Sequence, residues 1–258
     1  MMSATRIGAI ASNTVREAVR NKILYALLFF GVLLIGTGIL VSNLSYVEGD
    51  RILQSIGLSS LRLFGTAVAI FVGVGLIHKE VDRRTIYTIL SKPVSRTEFL
   101  LGKYAGLVAT IWLQVVIMAL AFVAVSLLSG APLDAGHAAA IGLAAVELAV
   151  MVAVATLFSS FTTPILASLF TAGLYLAGHV TRDLKELGAQ SDNPSVEQAT
   201  RLLYQVLPDL EAFNLTVPAI HQLPIATSEV LLPLVYGACY IAMLLAGASM
   251  IFERRDFR

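Results

Sequence analysis

One carboxylate in this sequence, that of Glu147, lies where it could take part in proton or cation chemistry inside a membrane. Glu147 lies in the middle of the apolar stretch Ala138–Phe158, and the other long apolar stretches of the chain contain no formal charge. A charged carboxylate in hydrocarbon is costly unless it is protonated, paired or hydrated. Glu147 could therefore act as a proton site, a cation site or the polar wall of a conduit. The alternative is a structural hydrogen bond to a neighbouring helix, for which Gln114 is the candidate partner.

Residue patterns for other chemistries are absent from the sequence. The four histidines show no metal-ligand spacing, the six methionines form no Met-x-x-Met pair, and the single cysteine is Cys239, so we expect no metal site. Gly102-Lys103 resembles the end of a phosphate-binding loop, but Thr97 and Tyr104 replace the other required glycine and the Ser/Thr. With no hydrolase motif either, we expect no catalytic or cofactor-binding residue and no enzyme activity in this chain.

Six long apolar stretches must position these residues. The composition is 57% hydrophobic and 14% charged, with a mean hydropathy of +0.81, whereas a soluble domain has about 25% charged residues. About 20 apolar residues in a helix cross a bilayer. The chain is therefore predicted to be an all-α polytopic membrane protein with one membrane domain over residues 1–258. The predicted spans are Ile23–Val41, Leu63–Ile77 (extended at its start by Ile52–Arg62), Tyr104–Leu128, Ala138–Phe158, Pro164–Val180 and Val230–Phe252.

The distribution of Lys and Arg predicts the orientation of the spans. Of the 18 such residues, five (Arg51, Arg62, Arg182, Lys185 and Arg201) fall in one set of connecting segments, which leaves 13 in the other set. Positive residues favour the cytoplasmic side. Segments 1–22, 78–103, 159–163 and 253–258 are therefore predicted to be cytoplasmic, with both termini inside. The net charge of +1 gives no reason to expect a nucleic-acid partner.

Three segments outside the spans have helical patterns of their own. Residues Ala4–Asn21 are predicted to form an amphipathic helix at the lipid interface, within the segment 1–22. In 78–103, a short helix is predicted from Asp82 to Pro93, and a second helix begins at Ser95 with Glu98 at capping-box spacing. The insert 181–229 is predicted to contain a polar loop, Leu184–Pro194. A helix over Ser195–Leu207 should follow it, capped by Asp192 or Ser195, with Val196, Ala199, Leu203 and Val206 on one side.

Several of these motifs together resemble the permease subunit of type-2 ATP-binding-cassette (ABC) transporters. The likeness covers nearly the whole chain and is strongest to permeases of multicopper-enzyme maturation and gliding motility. It is carried by Arg16-Glu17-Ala18, by Glu80-x-Asp82-Arg83-Arg84-Thr85 with Leu90–Arg96 and Gly102-Lys103, by Ser159-Ser160-Phe161 before Pro164, by Leu207–Asn214 and by Phe252–Phe257.

The resemblance implies a coupling helix at about Arg83–Leu90 that sits in a groove of a separate ATPase subunit. The side chains expected to dock there are Ile86, Tyr87, Ile89 and Leu90, and those expected to orient the helix are Glu80, Asp82, Arg83 and Arg84. The resemblance also implies a bacterial inner-membrane complex in which two ATPases bind ATP and Mg²⁺. The second permease would be another copy of this chain or a paralogue.

The resemblance favours one function, and the residues leave two others open. The first is the permease of an ATP-driven transporter that exports or extracts an envelope substrate. The second is an ion-coupled carrier or channel that uses Glu147, although no inverted repeat supports it. The third is a membrane scaffold that binds an extracytoplasmic protein through residues 181–229.

Overall fold

The structure, a computed structural model, describes residues 4–45, 47–82, 95–191 and 193–254, which are almost entirely helical. Within those ranges no residue is assigned to a β-strand, in agreement with the predicted all-α class. The helices are α1 (Ala4–Val19), α2 (Lys22–Ser42), α3 (Gly49–Asp82), α4 (Arg96–Leu128), α5 (Ala135–Phe161), α6 (Pro164–Ala189), α7 (Pro194–Val206), α8 (Thr216–Ile220) and α9 (Thr227–Arg254), with a 3₁₀ turn at Glu211–Phe213 between α7 and α8.

Six of these helices are long and apolar enough to cross a membrane, which confirms the predicted number of spans. They are α2, the part of α3 from Gly49 to Leu76, α4, α5, α6 and α9 up to Glu253. The complete α3 has 34 residues and is therefore about 51 Å long, well beyond the roughly 30 Å of a hydrocarbon core. Helix α4, with 33 residues, is nearly as long. The chain is thus a multi-pass membrane protein with two helices longer than a hydrocarbon core is thick.

Helices α3 and α5 form the centre of the bundle. In their most apolar segments 61% of α3 and 67% of α5 is buried, against 22% for each of α2, α6 and α9. The buried run of α5 includes Val150, Val152 and Val154 together with several alanines, and these small side chains allow neighbours to approach on every side. The outer helices instead expose apolar side chains such as Phe29 and Leu169, as expected for surfaces that face lipid.

The environment of Arg62 differs from the one predicted from the sequence. Arg62 was placed in an outer connecting segment, but it lies inside the α3 span. Its side chain is only 12% exposed. Glu147 is therefore not the only charged residue within the spans, because α3 continues through the mildly polar residues before Leu63.

The N-terminal helix is confirmed, with α1 ending at Val19, two residues before the predicted end. Its Thr14 and Ala18 are fully buried, and its apolar residues Ile7 and Ile10 are half-buried, so α1 packs its apolar side on the bundle.

The insert between α6 and α9 is helical, but its first part differs from the prediction. Residues 184–189 continue α6 instead of forming a loop. The predicted following helix is confirmed as α7, whose N-cap is Asn193, since its side chain accepts a hydrogen bond from the Ser195 N–H at 3.0 Å. The caps predicted for it were wrong at Ser195, while Asp192 lies outside the described residues.

The return from α7 to α9 packs tightly on α6. Leu210 and Phe213 are buried, and the Leu210 N–H donates to the Gly178 carbonyl at 3.0 Å. A Cβ at Gly178 would lie 2.7 Å from Leu210 Cγ, so only glycine permits this approach. The predicted apolar side of α7 stays exposed at Val196, Leu203 and Val206.

Helix α5 begins with a capping box formed by Asp134 and His137. The Asp134 carboxylate accepts from the His137 N–H at 3.2 Å and lies 2.7 Å from Nδ1 of the same residue. Slight desolvation acts to raise the pKa of Asp134, but the hydrogen bonds and charge of His137 outweigh it and lower that pKa. The cap therefore fixes the start of the central helix just outside its span.

Candidate functional site

The predicted coupling residues belong to the segment between α3 and α4. Glu80 and Asp82 are in the last turns of α3, and their side chains lie outside the described residues, as do Arg83, Arg84, Ile86, Tyr87, Ile89 and Leu90 entirely. What the structure describes is the pair of helix ends that flank this segment. The second of these ends, the start of α4, contacts both α1 and α9.

The start of α4 is the predicted capping box. The Ser95 hydroxyl accepts from the Glu98 N–H at 3.1 Å, and the Glu98 carboxylate accepts from the Ser95 N–H at 3.0 Å. Glu98 is buried, and Nη1 of Arg6 on α1 lies 3.9 Å from the same carboxylate oxygen. The first turn of α4 is therefore fixed by its own cap and by a charge on α1.

The end of α9 is attached to the same turn of α4. Arg96 Nη1 donates to the carbonyl oxygens of Phe252 and Glu253 at 3.1 and 3.2 Å. The Thr97 hydroxyl donates to Glu253 Oε1 at 2.8 Å, and the Phe99 and Phe252 rings stack with centroids 6.3 Å apart. Cations near a helix C-terminus stabilise its unpaired carbonyls, so Arg96 joins the two helices at their ends.

Helix α1 lies directly on α4, as the Gly102–Gly106 pair allows. A Cβ at Gly106 would lie 2.6 Å from both the Ala11 carbonyl oxygen and Thr14 Cβ, closer than real contacts permit. One residue after Gly102, the buried Lys103 ammonium lies 3.4 Å from the Glu17 carboxylate of α1. The start of α4 thus forms one unit with α1 and with the end of α9, which we name the α4 platform: residues 95–106 with Arg6–Ala18 and Phe252–Glu253.

A charged cluster lies inside the membrane-spanning part of the bundle. Arg62 of α3 contacts Glu147 of α5 through Nε and Nη2, at 3.0 and 2.8 Å from Oε2. Nη2 of the same arginine lies 2.8 Å from Nε2 of His179 on α6. His179 Nε2 is also 3.3 Å from the second carboxylate oxygen of Glu147. We call Arg62, Glu147 and His179 the membrane triad.

His179 adds a third helix to the membrane triad. Nδ1 of His179 lies 2.9 Å from the Tyr175 carbonyl, which accepts only if that nitrogen carries a hydrogen. Nε2 faces both the Arg62 guanidinium, at 2.8 Å, and the Glu147 carboxylate, at 3.3 Å. The arginine charge balances the carboxylate charge, so the pair joins α3 and α5 without an unpaired charge in the apolar interior, and His179 links α6 to both.

Gln114 is not a partner of Glu147. Its amide nitrogen lies 3.4 Å from the Phe64 carbonyl of α3 and 3.7 Å from Met118 Sδ. Glu147 and Gln114 are both buried, and both contact α3: Glu147 bonds to the Arg62 side chain and Gln114 to the Phe64 carbonyl. The interhelical bond of Glu147 that was considered as a structural alternative therefore exists, with Arg62 and His179 in place of Gln114.

A comparison with protein-family models shows to which family this chain is related. The model of the ABC-2 family transporter proteins matches residues 8–257. The chain belongs to the ABC-2 transporter family. Among curated proteins, no match was found. The match extends from the early part of α1 to beyond α9, so it covers the membrane triad, the segment between α3 and α4, and all of the α4 platform except Arg6 and Ile7.

ABC-2 family membership confirms the resemblance to type-2 ABC permeases. Proteins of this family are membrane subunits for transport that generally work with an ATPase subunit. The narrower similarity to permeases of multicopper-enzyme maturation or gliding motility stays a prediction.

Two members of the membrane triad of this ABC-2 chain were missed from the sequence. Arg62 stood at the edge of an apolar stretch and was read as a loop residue, and His179 was examined only for metal-ligand spacing. A usable signal exists for Arg62, because an arginine directly before a span that is too short needs an acidic partner once the helix is extended through it. Its pairing with Glu147 depends on how α3 and α5 align, which local sequence does not specify.

Proposed function

We propose that this chain is the permease subunit of an ATP-driven transporter, coupled through residues 78–103 to a separate ATPase. The observation that carries the proposal is the α4 platform, together with family membership. The segment proposed to contact the ATPase leads directly into the capping box of Ser95, and the first turns of α4 contact both α1 and α9. A force applied to this segment would therefore reach three helices at once.

The proposal assigns separate roles to the two proteins. The ATPase binds and hydrolyses ATP with Mg²⁺, and the permease supplies the pathway. Ile86, Tyr87, Ile89 and Leu90 contact the ATPase, while Glu80, Asp82, Arg83 and Arg84 orient the contact. Two permease subunits, either two copies of this chain or this chain and a paralogue, pair with two ATPases in a bacterial inner membrane. The complex exports or extracts a component of the cell envelope, and both termini of this chain are cytoplasmic.

The ion-carrier alternative has less support. In that hypothesis Glu147 would bind and release a proton or cation during transport. The Glu147 carboxylate is already paired with Arg62 at 2.8 Å and is 1% exposed, so an incoming cation would have to displace a bound guanidinium.

In the scaffold alternative, a protein outside the cell would bind the outer insert, where α7 exposes Leu202 and Val206.

The coupling can be tested by one substitution and a matched control. The chain would be purified from its native membrane with its associated proteins, and ATP hydrolysis would be measured in lipid nanodiscs. Leu90→Asp should abolish the ATPase activity stimulated by the permease, because a carboxylate would enter an apolar contact. The control Leu44→Asp makes the same change at a side chain that is 80% exposed in the loop between α2 and α3, and it should leave hydrolysis unchanged.

Two results would contradict the proposal. One is recovery of the chain at full yield with no nucleotide-binding protein. The other is an orientation opposite to the predicted one. To test it, Cys239 would be replaced by Ala, and single cysteines at positions 83 and 44 would be treated with a membrane-impermeant maleimide in intact cells. Leu44→Cys should be labelled and Arg83→Cys should not, and the reverse pattern would place the coupling segment outside the cell.

A further inference from the structure

The junction of α1 and α2 borders an open cavity with an excess of positive charge. The cavity has a volume of about 830 Å³. Three of the described residues that line it are cations, Arg16, Arg20 and Lys22, and all three are exposed. Two amides, Asn13 and Asn21, and the apolar Leu76 complete most of the wall. Asn13 and Arg16 lie within the α1 part of the α4 platform but form none of its contacts described above, and no residue that lines the cavity belongs to the membrane triad.

The negative charge in this cavity is already paired. Glu17 lines the cavity, but its carboxylate lies 3.4 Å from the buried Lys103 ammonium. Among residues 4–45, 47–82, 95–191 and 193–254, no carboxylate forms an ion pair with Arg16, Arg20 or Lys22. Three guanidinium or ammonium groups are thus available to an anion.

The start of α2 adds to the attraction for an anion. Asn21 is its N-cap and accepts from the Ile23 N–H at 3.0 Å, and Asn21 and Lys22 line the cavity, so the positive end of a 21-residue helix borders it. The partial charge at a helix N-terminus favours anions, phosphates in particular. The helix end alone would not define a site; the three side-chain cations around it do.

The exposed apolar face of α2 begins at the residue after Lys22. Ile23 and Tyr25 are 48% and 53% exposed, and the exposed face of α2 continues through Phe29, Phe30 and Leu33. A soluble anion would make no contact with such an apolar surface, and neither would an acidic patch on a water-soluble protein. A phospholipid uses both parts: its phosphate binds cations at the interface while its acyl chains lie along the apolar helix. Tyr25 is also of a type that is enriched at membrane interfaces.

We propose that Arg16, Arg20 and Lys22 form a binding site for the phosphate of an anionic phospholipid, with its acyl chains along the exposed face of α2. The site lies next to α1, whose Thr14 and Ala11 contact Gly106 of the α4 platform. A lipid bound there would fix α1 against the membrane surface at the point where α1 also supports α4. The inference does not depend on the ATPase, because lipid binding needs neither nucleotide nor a partner protein.

The experiment is lipid binding measured by native mass spectrometry on the purified full-length chain. Phosphatidylglycerol would be titrated against phosphatidylcholine with identical acyl chains. Wild type should retain phosphatidylglycerol in preference. Arg16→Gln/Arg20→Gln/Lys22→Gln should bind it about a hundredfold more weakly, because each cation near an anionic lipid surface contributes roughly fivefold. Arg16→Lys/Arg20→Lys/Lys22→Arg keeps the charges and should retain most of the binding.

A matched control removes three charges from other segments. Arg51→Gln/Lys185→Gln/Arg201→Gln should bind phosphatidylglycerol within about twofold of wild type, since none of these three residues lines the cavity. If the triple glutamine variant fails to fold, Arg20→Gln alone should weaken binding about fivefold.

Four results would overturn the proposal. Undiminished phosphatidylglycerol binding by the glutamine variants is the first, and equal retention of both lipids by wild type is the second. Displacement of the lipid by millimolar inorganic phosphate would identify a site for a soluble anion. Loss of a co-purifying ATPase with lipid binding intact would identify a protein contact. Only the last would bear on coupling, and failure of coupling at Leu90→Asp would leave the lipid result unaffected.

Discussion

Removing Arg62 should destabilise the bundle more than most single substitutions in this chain. In Arg62→Met the Glu147 carboxylate would keep its buried position but lose its cation. The charge centres of such a pair lie about 4 Å apart, for which an effective permittivity of roughly 20 gives an attraction of about 4 kcal/mol. Breaking one side of a buried pair typically costs about 3–5 kcal/mol, because the remaining charge stays desolvated. We expect the free energy of unfolding to fall by a value in this range.

The double variant distinguishes loss of the ion pair from the cost of leaving one buried charge unpaired. Replacing both residues, Arg62→Met with Glu147→Met, leaves no charge and a similar volume, so its unfolding free energy should return to within roughly 1 kcal/mol of wild type. The lost hydrogen bond to His179 would account for about 1 kcal/mol of the remaining difference. Arg51→Met is the control, because Arg51 forms an exposed pair with Glu48 and exposed pairs contribute about 0.2–1 kcal/mol.

The assay is reversible unfolding of the full-length chain in mixed micelles, titrated with sodium dodecyl sulfate and followed by circular dichroism. The double-mutant cycle should give a coupling of at least about 2 kcal/mol between the two positions. The reasoning would be refuted if Arg62→Met lost less than about 1 kcal/mol, or if the double variant were as unstable as Arg62→Met alone. Either result would mean that water or another group compensates Glu147.

Three other perturbations test separate parts of the structure. Gly106→Ala should destabilise the chain by about 1–3 kcal/mol in the same titration, because its Cβ would lie 2.6 Å from the Ala11 carbonyl; Gly142→Ala, with nothing within 4 Å, should be neutral or slightly stabilising. Arg96→Gln should speed amide hydrogen exchange in the last turn of α9, as read by mass spectrometry, whereas Arg201→Gln on the exposed side of α7 should not. Asp134→Ala should cost about 1 kcal/mol at neutral pH, and Asp134→Asn less, because Asn also caps helices. Since the pKa of Asp134 is lowered in the folded chain, the stability from its charge is complete above about pH 4 and is lost as the pH falls. The stabilities of wild type and Asp134→Asn should therefore converge in acid; a constant difference would contradict the assignment.

The features that the sequence predicted correctly are those with local causes. A span needs only length and apolar composition, so all six were found. The start of α4 follows from Ser95 and Glu98, three residues apart, and α1 from its own periodicity. The extension of α6 through residues 184–189 was missed because its polar composition is typical of a loop, yet α7 packs alongside and Thr200 fits at Gly188. Tertiary packing there overrides local preference.

The candidate sites divide in the same way. Glu147 could be selected from the sequence because a lone carboxylate in an apolar span must have a partner, but the partner is 85 residues away in the chain. Arg62 and His179 come from two other helices, and their meeting depends on the relative height of α3, α5 and α6 in the bundle. The cation cavity likewise depends on the angle at which α1 joins α2, which the spacing of Arg16, Arg20 and Lys22 does not determine.

The membrane triad and the α4 platform each include one of the two helices that flank the proposed coupling segment. Helix α3 enters this segment and carries Arg62, which is bonded to α5 and α6. Helix α4 leaves it and is bonded through its first turns to α1 and α9. Movement of the segment by an ATPase would therefore be divided, with one part reaching the bundle centre through a charge pair and the other reaching the bundle surface through the α4 platform. Breaking the triad and breaking the platform should then impair transport separately. If Arg62→Met/Glu147→Met and Arg96→Gln each reduce coupled ATP hydrolysis and their effects add, the two routes are independent; a double loss no larger than one single loss would show that only one route carries the movement.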